Sequence, residues 1–128
     1  MWDRYCNVSV LKGKTLSKVV ASDEVIVFTT TNGEVYKMYH EQDCCESVYV
    51  ESITGDLDDL VGEEILVAED SQNLFDLIKD FDKEEDDYSD SHTWTFYKFA
   101  TFKGYVDIRW YGSSNGYYSE SVEFIKEK

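Results

Sequence analysis

Alternating apolar and polar positions run through most of this chain and are clearest in its last third. Tyr105–Tyr111 alternates strictly, and Thr93–Phe102 before it is rich in β-branched and aromatic residues. Because a period of two is typical of a strand with one buried face, the pattern predicts an antiparallel meander that continues through Tyr117–Ile125. The apolar side chains that share one face of its middle strand are Val106, Ile108 and Trp110.

Short turn signals divide the first half of the chain in the same way. Thr15–Ala21 and Glu24–Thr31 flank a polar pair and predict a hairpin. The Asn-Gly pair that ends at Gly33 is a strong hairpin-turn signal and leads into a strand at Val35–His40. The remaining predicted strands are Val8–Leu11, at a sheet edge, Glu46–Ile53 and Ile65–Ala68.

A strand, a glycine turn and a second strand occur twice with similar residues. Phe28–His40 aligns with Phe99–Tyr111, and a third strand follows each copy after a polar loop. An internal duplication and the shared composition of β-meanders both explain this match, and the sequence leaves the two open. The matched pairs are Phe28 with Phe99, Thr30 with Thr101, Gly33 with Gly104, Val35 with Val106, Tyr39 with Trp110, and Glu46 with Glu120.

The fold class that these patterns predict is mainly β. We expect about eight antiparallel strands in two related three-strand units that form a sandwich or one curved sheet. One or two short helices are expected between the units. At this length the chain is expected to be a single domain over residues 1–128.

The segment between the two units has a different pattern. Asp56 is a suitable N-cap for one helical turn, and Gly62 is a suitable stop. An apolar stripe over residues 74–81 predicts a second short helix. Residues 82–92 are dense in acids without periodicity, so they are predicted to form an acidic, mobile loop.

The formal net charge of −15 is concentrated in the middle of the chain. Residues 41–90 hold nineteen acids against two lysines, a net charge of −17, whereas residues 1–40 and 91–128 each carry a net charge of +1. A field polarised in this way attracts basic surfaces and repels phosphates. It therefore predicts a protein partner with a basic surface and argues against direct binding of nucleic acid through this region. Two other interpretations stay open: a solvated loop that only keeps the fold soluble, and a calcium site, although no stretch has the spacing of a known calcium loop.

The location predicted from the sequence is the cytoplasm. No apolar run approaches the roughly 20 residues that a membrane-spanning helix needs, and no signal-peptide pattern is present, so no membrane association is predicted. The cysteines Cys6, Cys44 and Cys45 are odd in number, and adjacent cysteines bridge each other only with strain. A disulfide framework is therefore not expected.

Two blocks of the chain resemble an uncharacterised protein family, a domain of unknown function found in small proteins of phages, prophages and their bacterial hosts. The resemblance implies no activity. It does imply a viral or mobile-element setting, in which small acidic proteins often inhibit host defence. The stretches that carry the resemblance are Tyr36–Val48, Gly55–Leu60, Trp94–Thr101, Ile108–Gly112 and Ser114–Glu120.

One short loop concentrates side chains that bind metals or act as nucleophiles: His40, Asp43, Cys44 and Cys45. Zinc sites prefer two cysteines separated by two to four residues, a spacing that adjacent cysteines lack. A metal site or a Cys–His module therefore stays an alternative interpretation of this loop. No phosphate-binding loop or Ser-His-Asp order is present, so the sequence predicts neither an enzyme nor a cofactor.

The first functional prediction is an inhibitor of a host protein, in particular a nucleic-acid-binding defence protein. It would act in the host cytoplasm through an acidic surface that mimics nucleic acid. The acids on or beside short ordered elements are the predicted contacts, because fixing them costs less entropy than fixing the charges of residues 84–87. These residues are Asp56, Asp58, Asp59, Glu63, Glu64, Glu69 and Asp70.

The aromatic last third suggests an alternative function, a binder or sponge of a small signalling nucleotide. Tyrosine faces stack on bases, and an arginine can meet a phosphate. The same side chains equally suit packing at a sheet edge, and the sequence leaves this open, as it does the choice between monomer and homodimer. The secondary binding candidates are Arg109, Tyr111, Tyr117 and Tyr118.

Overall fold

The computed structural model describes residues 5–43, 45–72, 91–114 and 119–128. Within these ranges the regular structure is almost all β, together with two single-turn 3₁₀ helices at Val8–Leu11 and Leu57–Leu60. The mainly β fold class predicted from the alternation is confirmed. The described strands are β1 (Leu16–Ala21), β2 (Val25–Thr30), β3 (Val35–Tyr39), β4 (Ser47–Thr54), β5 (Val67–Gln72), β6 (Ser91–Thr101), β7 (Gly104–Ser114) and β8 (Glu123–Lys126).

The strands form two four-stranded antiparallel sheets. Sheet 1 has the order β1-β2-β3-β8, and sheet 2 has the order β4-β7-β6-β5. Each sheet therefore contains three consecutive strands and one strand from the other half of the chain, since β4 pairs with β7 and β8 pairs with β3. The predicted meander of the last three strands is wrong in this respect, because β8 joins sheet 1.

One hydrophobic core lies between the two sheets. Phe28 of β2 and Phe99 of β6 are fully buried, and their ring centroids are 5.5 Å apart. Trp110 of β7 donates its indole N–H to the sulfur of Met38 in β3 at 3.2 Å, so the core satisfies the polar atom of its largest side chain. The predicted apolar face of β7 is confirmed, because its three members are buried: Val106, Ile108 and Trp110.

Two segments of the chain are copies of one structural unit, which we call the first copy (Asn7–Ala21) and the second copy (Asp56–Asp70). Each begins with a side-chain cap, forms one 3₁₀ turn, passes through a glycine and enters a strand. The glycines, Gly13 and Gly62, both have a φ of +89°, a conformation that other residues rarely adopt. The same local devices thus build β1 in sheet 1 and β5 in sheet 2.

The two copies contact each other symmetrically. The amide of Gly13 donates to the carbonyl oxygen of Ile65 at 2.8 Å, and the amide of Gly62 donates to that of Leu16 at 2.9 Å. Exchanging the copies turns one of these bonds into the other. The internal repeat that the sequence left open is therefore present in the structure, and its two copies make reciprocal contacts.

The relation continues into the hairpins with one correction to the predicted alignment. Phe28 pairs with Tyr36 across β2 and β3, and Phe99 pairs with Val106 across β6 and β7. Tyr36, rather than Val35, is therefore equivalent to Val106, because the first hairpin loop is one residue longer. The predicted pairs that this shift makes wrong are Gly33 with Gly104, Val35 with Val106, and Tyr39 with Trp110.

Two predicted elements differ from the structure. Residues 8–11 form a 3₁₀ helix and not an edge strand, because Val8 and Leu11 lie one turn apart and both reach the core. The strand predicted at residues 65–68 begins later, at Val67, since Ile65 instead bonds to the first copy.

The predicted acidic loop and the second predicted helix fall mostly outside the described residues. β6 begins at Ser91, so residues 91 and 92 of the predicted loop 82–92 belong to a strand. The rest of that loop and the helix predicted at 74–81 lie outside the described ranges.

Candidate binding surface

The second copy carries the seven acids that the sequence predicts as partner contacts. They lie on the Leu57–Leu60 turn, on the loop after it and on β5, which is an edge strand of sheet 2. Six of the seven are exposed, and Asp59 is half-buried. We call this set the acidic surface: Asp56, Asp58, Asp59, Glu63, Glu64, Glu69 and Asp70.

Hydrogen bonds hold the backbone beneath these acids in place. The side chain of Asp56 accepts from the amide of Asp58 at 3.0 Å and caps the turn, as predicted. The hydroxyl of Thr101 in β6 donates to the carbonyl oxygen of Asp59, which ties the turn to sheet 2. The carboxylates are therefore displayed from a fixed backbone, so a partner pays little entropy to order them.

The acidic surface is electrostatically uncompensated within the described part of the chain. None of its seven acids forms an ion pair with a described residue. Glu34 of sheet 1 is the contrasting case, because it lies 3.1 Å from Lys14 and 3.3 Å from Lys126. Those two hydrogen-bonded ammonium groups lower the pKa of Glu34. The acids of the second copy lack such partners and direct a negative potential outward.

The first copy shows that this backbone does not require acids. At the position equivalent to each acid, the first copy carries an uncharged or basic side chain. It still forms the same cap, turn, glycine bend and strand. The residues of the first copy, in the order of the seven acids, are Asn7, Ser9, Val10, Lys14, Thr15, Val20 and Ala21.

The face of sheet 2 that points away from the core carries polar and aromatic side chains in rows across the strands. Three of these rows follow one another along the strands. The first is charged, the second combines a phenylalanine with an arginine, and the third is aromatic. The rows are Glu69, Lys98, Asp107 and Thr54; then Ser71, Phe96, Arg109 and Ser52; then Trp94, Tyr111 and Tyr49.

A cavity of about 480 Å³ opens on this face. Its lining includes members of the first two rows, and Glu69 and Asp70 belong both to the cavity and to the acidic surface. Tyr97 also borders it, and burial raises the pKa of this phenol, which keeps it neutral. The cavity thus joins the acidic edge of sheet 2 to its aromatic outer face.

Two of the four secondary candidates meet in the aromatic part of the face. The Nε of Arg109 donates to Glu51 at 2.7 Å, and its guanidinium carbon lies 5.1 Å from the centre of the Trp94 ring. The ring of Tyr111 lies 4.6 Å from that of Trp94. Arg109 and Tyr111 therefore form one cluster around Trp94. The other two candidates, Tyr117 and Tyr118, lie outside the described residues.

His40 is held inside the fold by both of its ring nitrogens. Nδ1 lies 2.7 Å from the carbonyl oxygen of Ser121, which can only accept, and Nε2 lies 2.6 Å from a carboxylate oxygen of Glu46. That oxygen also accepts from the amide of Asp43 at 2.8 Å. These contacts tie the loop before β4 to the chain before β8. Neither nitrogen is left for a metal or a nucleophile in this arrangement.

The other metal or nucleophile candidates are placed as follows. Cys45 is disulfide-bonded, so the expectation that the chain forms no disulfide is wrong at this residue. Cys44 lies outside the described ranges. Cys6 is a free thiol whose pKa is raised by burial, which disfavours the reactive thiolate. In the part of the chain that the structure describes, no group of three or more His, Cys, Asp and Glu side chains is arranged to hold a metal ion.

Sequence reasoning did not identify two buried carboxylates or most of the residues of the cavity, of which it named only Glu69, Asp70 and Arg109 as binding candidates. Glu120 is 8% exposed and accepts from the hydroxyls of Thr93 at 2.6 Å and Ser114 at 2.5 Å. Glu120 aligns with Glu46, which is 4% exposed, and this match was a usable signal. Each of the two acids lies just before a strand that pairs with the other half of the chain, β4 or β8. The cavity residue Phe96 gave no such signal, since its neighbours depend on the pairing of β5 with β6.

The fold and this surface define an internally duplicated, two-sheet antiparallel β domain with an uncompensated acidic edge. A family model for a domain of unknown function, DUF7448, matches residues 9–124, and the chain belongs to that family. Comparisons with curated proteins and with solved structures give no match. Among the described residues, no helix is long and apolar enough to cross a membrane.

Proposed function

We propose that this protein is a non-enzymatic binding protein that docks its acidic surface onto a basic surface of a host protein and inhibits it. The proposed target is a nucleic-acid-binding defence protein in the host cytoplasm, whose phosphate-binding groove the carboxylates occupy as a mimic of nucleic acid. The resemblance to proteins of phages and mobile elements supports this setting.

The comparison of the two copies is the observation that carries the proposal. One backbone unit occurs twice, and the copy at residues 56–70 has seven acids where the copy at residues 7–21 has none. The cap, the 3₁₀ turn and the bonds from each glycine to the other copy are equivalent in the two copies, so they do not account for the difference. A requirement outside the fold does account for it, and a basic partner is the simplest such requirement.

The physical cost of the acidic surface supports the same conclusion. Like charges on adjacent elements repel each other and lower the stability of the compact state. The same charges raise the rate of encounter with a cationic groove and exclude anionic competitors. Because these carboxylates stand on a hydrogen-bonded backbone, most of the binding energy is not spent on ordering them.

Capture from host lysate at moderate salt tests the proposal. Immobilised wild-type protein is compared with a variant in which all seven acids are replaced by their amides, Asp→Asn and Glu→Gln. The matched control carries Asp23→Asn and Glu24→Gln, which remove exposed acids of the β1–β2 turn outside the acidic surface. Retained proteins are identified by mass spectrometry, and their binding is then measured with purified components over a range of salt concentrations.

The expected result is a basic nucleic-acid-binding protein that the wild type and the control retain and the seven-fold variant loses. Its affinity should fall steeply with salt, and nucleic acid should compete with the inhibitor for it. Equal retention by the wild type and the seven-fold variant would contradict the proposal. So would a partner whose nucleic-acid binding is unaffected by the complex.

A second candidate function, the binding of a signalling nucleotide, is favoured by the aromatic row around Trp94. Trp94 and Tyr111 offer faces for base stacking, and Arg109 lies beside them. Its guanidinium is already paired with Glu51, and the adjacent carboxylates oppose a phosphate. A thermal-shift screen with cyclic and adenine-derived nucleotides tests this candidate, because a ligand that binds only the folded state raises the melting temperature. A flat response removes it.

A further inference from the structure

Two cations line the cavity on the outer face of sheet 2, and each of them lies against an aromatic ring that is not part of the lining. The guanidinium of Arg109 is paired with Glu51 and lies over Trp94, in the row beyond Phe96. The ammonium of Lys98 lies 5.9 Å from the ring centre of Tyr105, on the opposite side of its row from Phe96. Each positive charge thus already contacts an aromatic ring, and Arg109 also pairs with a carboxylate.

The lining of the cavity also contains an aromatic ring and carboxylates. Phe96 lies in the row between Ser71 and Arg109, and Glu69 and Asp107 occupy the adjacent row. Neither carboxylate forms an ion pair with a residue in the described ranges. Lys98 stands between these two carboxylates in the row and contacts the ring of Tyr105 instead of forming an ion pair with either of them. A half-buried aromatic ring beside two such carboxylates is an arrangement that attracts a planar cation.

We infer that this cavity is the anchoring site for an arginine side chain of the basic partner, an inference that rests on the proposed function. A guanidinium stacks on an aromatic face and donates two parallel hydrogen bonds to a carboxylate, so it satisfies both features at once. A lysine ammonium satisfies only the charge. The cavity volume of about 480 Å³ is ample for one such side chain and its attached backbone.

The position of the cavity fits an anchor within a larger docking site. Glu69 and Asp70 line the cavity and also belong to the acidic surface, so an arginine placed here leaves the neighbouring cations of the partner over the acidic turn. Interfaces commonly concentrate their binding energy in one such buried arginine or aromatic side chain, surrounded by weaker contacts. The acidic surface attracts the partner, and the cavity selects arginine.

Nuclear magnetic resonance titration with defined probes tests this inference without knowledge of the partner. The probes are a lysine-rich peptide with one central arginine, the same peptide with citrulline in its place, and acetyl-arginine methylamide alone. Citrulline has nearly the same shape as arginine but no charge. The amide signals of residues 69–71, 96–98 and 107–109 report the cavity, and those of residues 56–59 report the acidic turn.

The expected result is saturable shifts at the cavity with the arginine peptide and about tenfold weaker binding of the citrulline peptide. Asp107→Asn should weaken the arginine peptide about tenfold, whereas Asp23→Asn, an exposed acid of the β1–β2 turn outside both the cavity and the acidic surface, should change its cavity affinity less than twofold. The single amino-acid probe should bind the same residues far more weakly than the peptide, which identifies a protein side chain as the occupant.

Three outcomes would overturn the inference. Equal binding of the arginine and citrulline peptides would show no selection for the guanidinium. Equal binding to the wild type and Asp107→Asn would place the contact outside the cavity. Equal affinity for the peptide and the single amino acid would make this a small-molecule site. Asp107 is not part of the acidic surface, so these results are independent of the capture experiment, and a partner lost only by the seven-fold variant would uphold the proposed function alone.

Discussion

The two copies of the capped strand unit differ in charge far more than in structure. The first copy contains three lysines, and one of them, Lys14, shares Glu34 with Lys126 and is thus paired within the fold. The second copy has no lysine or arginine and seven acids, none of them paired with a described residue. The first copy therefore pairs one of its charges with the rest of the protein, whereas all seven acids of the second are available to another molecule.

The comparison also separates what the backbone needs from what it tolerates. Both copies keep the cap, the glycine with positive φ and a buried leucine at the end of the turn, Leu11 or Leu60. Everything that differs strongly lies on the exposed side. A duplicated unit with one variable face resembles a scaffold on which a binding surface has been elaborated once.

Truncation of equivalent core side chains in the two halves should lower the free energy of unfolding by similar amounts. Phe28→Ala and Phe99→Ala each remove a fully buried ring from the contact between the sheets, so each should lower the free energy of unfolding by about 3–5 kcal/mol. Urea denaturation measures both. A difference of more than about 2 kcal/mol between the two variants would show that the halves share a backbone but not the energetics of the core.

Removal of the two capping side chains should lower the free energy of unfolding by different amounts, and the difference should depend on the salt concentration. Asn7→Ala removes an acceptor of the Ser9 amide and should cost about 1 kcal/mol. Asp56→Ala removes the equivalent acceptor but also one of seven repelling charges, so it should cost less than Asn7→Ala at low salt and a similar amount at high salt. Denaturation at two ionic strengths measures this. A larger cost for Asp56→Ala at low salt would mean that this carboxylate is stabilised within the fold.

The ion pairs between Glu34 and its two lysines should make the stability of the protein slightly dependent on pH. Lys14 and Lys126 lower the pKa of Glu34 below its ordinary value of 4.5. The stability that they contribute is therefore present above about pH 4.5 and is lost as the pH falls through the lowered pKa of the folded state. Glu34→Gln should be less stable than the wild type at pH 6, and the difference should vanish in acid.

Thermal denaturation across that pH range measures the effect. The matched control is Asp58→Asn, which removes an exposed acid without a described cation partner and should not show the same loss at pH 6. If Glu34→Gln and the wild type have equal stability at every pH, the two lysines do not stabilise this carboxylate.

Local patterns in the sequence predicted most of the strands but little of the way in which the strands pair. The alternation in Tyr105–Tyr111 identifies β7 and its buried face, and the Asn-Gly pair identifies the β2–β3 turn. Nothing local indicates that β4 and β8 exchange sheets, because that pairing joins residues from opposite halves of the chain. For Val8–Leu11, β-branched composition favoured a strand, and burial of two residues one turn apart made it helical.

The binding surface was also predictable only in part, because some of its residues are close in sequence and others are brought together by strand pairing. The acids of the second copy lie close together in the sequence, on or beside short predicted elements, and these two features were enough to single them out. The cavity draws Glu69, Phe96 and Asp107 from three strands, and only the register of those strands brings them together. The duplication had a sequence signal that was missed: Leu11 and Gly13 recur, with the same spacing, as Leu60 and Gly62.

The most direct test of the central claim is to give the second copy the residues of the first and to measure stability. The variant carries Asp56→Asn, Asp58→Ser, Asp59→Val, Glu63→Lys, Glu64→Thr, Glu69→Val and Asp70→Ala, and its unfolding in urea is compared with that of the wild type at low salt. If the acids serve a partner and not the fold, the free energy of unfolding should rise by roughly 1–2 kcal/mol, since repulsion is relieved and β5 gains better strand formers. A fall of that size, or failure to fold, would show that the acids stabilise the protein itself and would contradict the account.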